Sequence, residues 1–161
     1  MADLLELSAG LPEVELAAGE VLIEEDGDAS GPIWILVSGA LEVRTGGVAH
    51  ATIAQPGAVI GEVSVLLGSR STATVVATEP TRLRVAADGR ALLTDDPRVL
   101  LHVATGLAGR LHAVNTYLAD LKQQYGDAPG LTMVSDVLGH LTDEPAPPAR
   151  PGSARDPHPD Y

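Results

Sequence analysis

From Leu11 to Val85 short apolar runs alternate with turn residues, a pattern that predicts antiparallel β structure, either a sandwich or a barrel. Val14 and Leu16 alternate with Glu13 and Glu15 ahead of a turn at Gly19, and Val21 to Ile23 give the next run. Ile33 to Val37 reads as a buried strand ended by Ser38-Gly39. Leu41 and Val43 alternate with Glu42 and Arg44 before Thr45-Gly46-Gly47, a hairpin-type turn. Ile53 precedes Gln55-Pro56-Gly57, while Thr72 to Thr78 and Arg82 to Val85 flank Glu79-Pro80-Thr81. About eight strands fit this text.

After Val85 the period lengthens from two to about three and a half, so the chain turns helical. Asp88 starts a short helix that stops near Asp95-Asp96-Pro97, because proline disfavours helical geometry in the residue before it and suits a first turn. A second helix is predicted from Arg98 to Gln124. Its apolar positions Leu100, Ala104, Leu107, Leu111, Val114, Leu118 and Leu121 recur in steps of four and three, the spacing of a coiled-coil seam. At about 1.5 Å per residue this helix runs roughly 40 Å, longer than a small barrel can cover. A homodimer through that seam is therefore expected, although Gly106 and Gly109 weaken the helix. Gly126 to Gly130 break it, Leu131 to Leu141 suits a short amphipathic extension, and the Pro-rich composition from Asp143 predicts disorder. The expected organisation is thus one domain over 1–125, a helical extension over 126–142 and a tail over 143–161.

Composition narrows the function classes. The chain has 161 residues, room for one domain with an appendage. Phe is absent and Trp34 is the single tryptophan, so the core must be aliphatic and stacking on nucleic-acid bases is disfavoured. A formal net charge of -12 argues against nucleic-acid partners, whose nonspecific affinity needs a basic face. No cysteine is present, which excludes disulfides and thiolate zinc sites. No apolar run approaches the roughly 20 residues of a spanning helix, so no membrane role and a cytoplasmic location are expected.

The run from Gly61 to Val75 carries the candidate chemistry. Gly61 permits close approach of backbone to a ligand, Glu62 supplies a carboxylate, and Val63, Val65, Leu66 and Leu67 anchor one helical turn. Ser69, Arg70, Ser71 and Thr72 then bring a cation, hydroxyls and free amides to the start of a strand, ahead of Ala73. This combination suits a nucleotide with one sugar diol and one phosphate.

Taken in order, Gly19-Glu20-Val21-Leu22-Ile23, Gly27-Asp28, Ile33 to Val37 with Ser38-Gly39, Leu41-Glu42-Val43, Gln55-Pro56-Gly57, Ile60-Gly61-Glu62 and Thr72-Ala73-Thr74-Val75 resemble the cyclic nucleotide-binding domain. That family serves as the regulatory module of cyclic-nucleotide-dependent kinases, gated channels and catabolite-activator regulators. The resemblance spans Leu11 to about Leu121. It implies an eight-stranded antiparallel jelly-roll β-barrel followed by a long helix, with cAMP or cGMP as ligand, no other cofactor, and a downstream protein of unknown identity. It also implies that Glu62 accepts the ribose 2′-hydroxyl, with Gly61, Val63 and nearby amides lining the sugar. An ionised carboxylate does this through a charge-assisted bond and so tells ribose from a deoxy sugar. An acidic residue at a helix start is also a common cap, but capping alone would not require the glycine before it. By the same resemblance Thr72 contacts the phosphate, and Val114 and Asn115 on the long helix approach the base, where an asparagine offers a donor and an acceptor to a purine edge.

One departure stands out. The family places an arginine four residues before the valine of its Arg-x-Ala-x-Val ending, and counting back from Val75 that position is Ser71, with Arg70 one step earlier. A one-residue slip in extended backbone turns a side chain to the opposite face. Either Arg70 still reaches inward, or Ser71, Thr72 and amides hold the phosphate without a full counter-charge, which weakens binding by roughly tenfold to a hundredfold.

Other chemistry finds little support. His50, His102, His112, His140 and His158 are scattered without metal-ligand spacing, which weakens a metal-binding cupin reading, and no metal site is expected. Asp95 and Asp96 read as a helix start, and no nucleophile motif is present, so no enzyme is expected. A nucleotide-free dimerisation or protein-docking module remains the alternative. A DNA-binding regulator is disfavoured, because the stretch after Gln124 is too short and proline-rich to dock a recognition helix.

Overall fold

The structure, a computed structural model, describes residues 4–27 and 31–125. The helical extension over 126–142 and the tail over 143–161 lie outside the described residues. The chain divides into two compact units, residues 1–107 and 108–161.

In the first unit the alternating segments pair as their pattern predicts. Strands β1 (Glu13–Leu16), β2 (Val21–Ile23), β3 (Ile33–Ser38), β4 (Leu41–Thr45), β5 (Val48–Ile53), β6 (Val59–Ile60), β7 (Thr74–Ala77) and β8 (Thr81–Ala86) form two four-stranded antiparallel sheets. One has the order β1-β8-β3-β6 and the other β2-β7-β4-β5. β1 pairs with β8, β2 with β7, β3 with β6 and β4 with β5, so the chain folds back on itself in nested pairs. The closed barrel expected from the sequence is not formed. Its edges are too short to be stitched together: β6 has two residues and β2 three, and no ladder joins the sheets among the described residues.

The aliphatic composition packs as two clusters. Ile23, Leu36, Leu41, Ile60, Val75, Ala77 and Leu83 fill the first. The second joins Ile33 and Ile35 of β3 to the helices α1 (Leu4–Leu7), α2 (Glu62–Leu67), α3 (Gly89–Asp95) and the start of α4 (Pro97–Tyr125) through Leu4, Val65, Leu93, Val99 and Val103. Burying an aliphatic side chain contributes about 1.5–3 kcal/mol, so these helices are held chiefly by that shared cluster.

Local signals explain the helix ends. The Asp88 carboxylate accepts from the Ala91 amide at 2.9 Å and caps α3. Asp96 Oδ1 accepts from the Arg98 amide at 2.9 Å, which starts α4 at Pro97. The Arg98 guanidinium, hydrogen bonded to Asp96, holds that carboxyl below its ordinary range, and Asp96 in turn raises Arg98. α1 carries no periodic signal in four residues. It is tied instead by Arg84, whose guanidinium donates to the Leu5 carbonyl, to Ser8 Oγ at 3.2 Å and to Glu13 at 3.2 Å.

Of the apolar row expected along α4, Leu107 packs against the second cluster, the one that Val99 and Val103 belong to. Val99 and Val103 are buried, whereas Leu100, Ala104, Leu111 and Val114 are exposed and Leu107, Leu118 and Leu121 are half-buried. Steps of three and four fit two adjacent stripes of one helix, and in the first unit the packed one runs through Val99, Val103 and Leu107. Among the described residues no helix is long and apolar enough to cross a membrane.

Candidate functional site

The cassette from Gly61 to Ala73 connects β6 to β7 and owes its shape to a backbone reversal. Gly61 has φ 91° and ψ -7°, a left-handed conformation that glycine adopts without strain. It also lies against Trp34: a Cβ at this position would be 3.0 Å from the Pro32 carbonyl oxygen and 3.1 Å from the indole ring. Trp34 thus sets how close this backbone comes to β3. The turn delivers Glu62 as the first residue of α2, where its carboxylate complements the helix dipole. Its side chain is directed inward, with 3% exposure.

α2 ends at Gly68, whose amide donates to the Ser64 carbonyl, and Ser69 donates to the same oxygen at 3.1 Å. Ser64 Oγ donates onward to the Arg70 carbonyl at 3.5 Å. The loop is braced from the β2–β3 connection: the Ser71 amide donates to the Gly27 carbonyl at 3.2 Å, and the Asp26 amide donates to the Ser71 carbonyl at 2.9 Å. Asp26 is held at φ 60° for this purpose, a conformation aspartate tolerates better than most residues.

That brace decides which way the displaced pair faces. Ser71 is buried, and Arg70 is exposed with Nη1 3.5 Å from the Asp26 carbonyl, on the outside of the loop. Ser71 Oγ donates to the Ala73 carbonyl at 2.8 Å, a local bond that competes with ladder formation. β7 accordingly begins at Thr74 and not at Thr72, as the sequence pattern predicted. Thr72 is exposed, Ala73 half-buried and Val63 half-buried.

Gly61, Glu62, Val63, Arg70, Ser71, Thr72 and Ala73 therefore stand together in one cassette. Val114 and Asn115 stand on the part of α4 in the second unit, Val114 exposed and Asn115 half-buried with its Oδ1 enclosed and lacking a hydrogen-bond partner among the described residues. Sequence reasoning passed over two participants. Trp34 under Gly61 and the Asp26 brace have tertiary origins, although the Gly27-Asp28 turn marks the second. Ser69, which the sequence offers as the first of the Ser-Arg-Ser-Thr group, has its hydroxyl enclosed without a partner among the described residues. No group of three His, Asp or Glu side chains is placed to hold a metal ion among the described residues.

A family model for the cyclic nucleotide-binding domain matches residues 13–94, from β1 to α3, with the cassette inside it. The chain belongs to the cyclic nucleotide-binding domain family. Among solved structures similar to this domain, a transcriptional regulator from Thermotoga maritima has a TM-score of 0.63 at 22% identity, over 76% of this chain and 99% of that one. The catabolite activator protein of Thermus thermophilus has a TM-score of 0.62 at 27% identity, over 76% of this chain and 60% of that one. The CBD2 domain of PKAR with Sp-2Cl-cAMPS bound has a TM-score of 0.52 at 22% identity, over 69% of this chain and 71% of that one. The chain thus spans less than two thirds of the Thermus protein, and the likeness to the first and third is one of fold. Comparison with curated proteins gives no match.

Proposed function

We propose that this cyclic nucleotide-binding domain is a regulatory module that takes a cyclic nucleotide, cAMP in the first instance, and passes its occupancy to the C-terminal helix. The observation that carries the reading is Glu62, a carboxylate with 3% exposure at the first position of a short helix, behind a glycine seated on Trp34. A ribose 2′-hydroxyl donating to that carboxylate makes a charge-assisted bond of roughly 1.5–3 kcal/mol. Ser71, Thr72 and the loop amides are the candidates for the phosphate. Transmission is supported by α2 carrying both Glu62 and Val65, the latter packed with Leu93, Val99 and Val103. Binding is tested by calorimetry and thermal shift with millimolar cAMP and cGMP, since a ligand of the native state raises its stability. Stabilisation that disappears in Glu62→Ala supports the reading, and silence toward both nucleotides removes it.

A second reading has its own support. The outward Arg70 and the exposed row Leu100, Leu111 and Val114 on α4 suit a nucleotide-free module that pairs as a homodimer or docks a protein. Its expected outcome is a concentration-dependent dimer in sedimentation whose affinity ignores nucleotides and falls in Leu111→Glu. A monomer at all concentrations removes the homodimer.

A further inference from the structure

We infer that Glu25 is a positioning residue for the phosphate end of the cassette: it clamps the start of β7 to the β4–β5 turn, and its loss weakens a cyclic nucleotide while leaving recognition of the sugar intact. The inference rests on the cyclic-nucleotide reading of the cassette and goes beyond it by assigning a role to a residue outside the cassette.

Glu25 bonds to two different elements. Its amide donates to Thr74 Oγ1 at 3.0 Å, at the first residue of β7, and its Oε2 accepts from the Gly46 amide at 2.8 Å, in the turn between β4 and β5. The strand pairing explains this reach. β7 lies between β2 and β4, with Ile23 opposite Val75 and Arg44 opposite Thr74. A residue just beyond the end of β2 therefore meets the start of β7 and the turn that follows β4. Gly46 and Gly47 have φ 57° and 78°, a left-handed pair that fixes a tight turn and makes it a firm anchor for the half-buried Glu25.

The two residues after Glu25 extend this anchorage to the loop. The Asp26 amide donates to the Ser71 carbonyl at 2.9 Å, and the Ser71 amide donates to the Gly27 carbonyl at 3.2 Å. Ser71 Oγ donates to the Ala73 carbonyl at 2.8 Å. Ser71 is thus held at its amide, its carbonyl and its hydroxyl, while Thr74 is held by Glu25, so both ends of the stretch 71–74 are tied to residues 25–27. The sugar end of the cassette has a separate anchorage, with Gly61 seated against Pro32 and Trp34. Donors held in place beforehand lose little freedom when an anion arrives, whereas a loop untied at one end is ordered only by binding, which lowers affinity.

The sign of the effect separates bracing from simple electrostatics. Removing an acidic side chain from a protein of net charge -12 by itself favours an anionic ligand, whereas loss of the brace disfavours it.

The test is calorimetry of the full chain with cAMP and with 2′-deoxy-cAMP. Glu25→Ala is expected to weaken cAMP by about threefold or more, while the ratio of cAMP to 2′-deoxy-cAMP affinity stays within about twofold of the parent's. Glu25→Gln keeps an acceptor for the Gly46 amide and is expected to bind within about twofold of the parent. A loss in Glu25→Ala smaller than about threefold, tighter binding, a deoxy ratio that shifts further, or a glutamine variant as weak as the alanine one overturns the inference and leaves the cyclic-nucleotide reading standing. A parent silent toward both cAMP and cGMP overturns the two together. Hydrogen exchange supplies an arm that needs no ligand. In Glu25→Ala the Ser71 amide is expected to exchange faster by about fivefold or more, while the Val65 amide of α2, bonded to the Gly61 carbonyl at 3.3 Å, keeps its rate. An unchanged Ser71 rate, or equal acceleration of both amides as in a general loss of stability, overturns the brace.

Discussion

Replacing Gly61 with alanine probes the geometry on which the site depends. At φ 91° the added Cβ brings the ordinary left-handed penalty of about 1–2 kcal/mol. The new methyl also lies 3.0 Å from the Pro32 carbonyl oxygen and 3.1 and 3.2 Å from two carbons of the Trp34 ring, so either the indole or α2 must move. Overpacking of this kind adds about 1–3 kcal/mol. Together the two effects give about 2–5 kcal/mol of destabilisation, a large share of the roughly 5–15 kcal/mol that holds a domain. At a few degrees per kcal/mol the melting temperature is expected to fall by about 6 °C or more. Gly106 of α4 is the internal control, being helical with nothing within 4 Å of a Cβ. There alanine removes unfolded-state entropy and a helix penalty, and stability is expected to rise by about 1 kcal/mol. Differential scanning calorimetry of the two variants reads both signs. A Gly61→Ala protein as stable as the parent would refute the claim that the turn and Trp34 fix the start of α2.

Three other contacts give measurable outcomes. Arg84→Ala removes the hydrogen bonds that tie α1 to β8 and β1, and chemical denaturation is expected to show a loss of about 2–3 kcal/mol. Glu62→Gln keeps the side-chain volume but removes the charge assistance, so the penalty for a 2′-deoxy ligand, measured by calorimetry, is expected to shrink relative to the parent; an equal penalty in both proteins disconnects Glu62 from the ribose. Asp96 has its pKa lowered by its hydrogen bond to Arg98, so the support it gives the first turn of α4 is fully present above the unfolded carboxylate value of about 3.9 and is lost as pH falls through the lower folded value. Hydrogen exchange at Arg98 to Leu101 is expected to accelerate only on that acid side, and Asp96→Asn to abolish the pH dependence.

Much of this fold can be read along the chain because its strands are half-buried and its turns are glycine-rich. β4 and β5 meet at Gly46-Gly47 as the alternation of Leu41 and Val43 implies, and Asp88 caps α3 where an N-cap residue precedes an apolar period. What escapes such reading has a tertiary cause. α1 and the two-residue β6 are too short to show a period and exist through Arg84 and β3 respectively. The facing of Arg70 is set by hydrogen bonds between Ser71 and Asp26-Gly27, some 44 positions away, and no local rule carries that information. Separation into two sheets in place of a closed barrel likewise depends on how edge strands end, whereas alternation along a strand is the same in both.

The outward Arg70 bears directly on whether a ligand here can move anything. A ligand shifts a conformational equilibrium only by its differential affinity for the two states. Glu62 and Val65 are three residues apart on one buried face of α2, so a displacement that brings the carboxylate onto a ribose also carries Val65. Val65 shares its cluster with Leu93 of α3 and with Val99 and Val103 of α4. Close-packed interiors have few voids in which such a displacement can be absorbed, and the neighbouring helices must repack with it. The ribose bond alone, at roughly 1.5–3 kcal/mol if made in only one state, changes a two-state ratio by roughly ten- to 150-fold. On the proposed reading, coupling through α2 does not need a guanidinium on the phosphate; it needs the diol of the sugar and the inward carboxylate of Glu62.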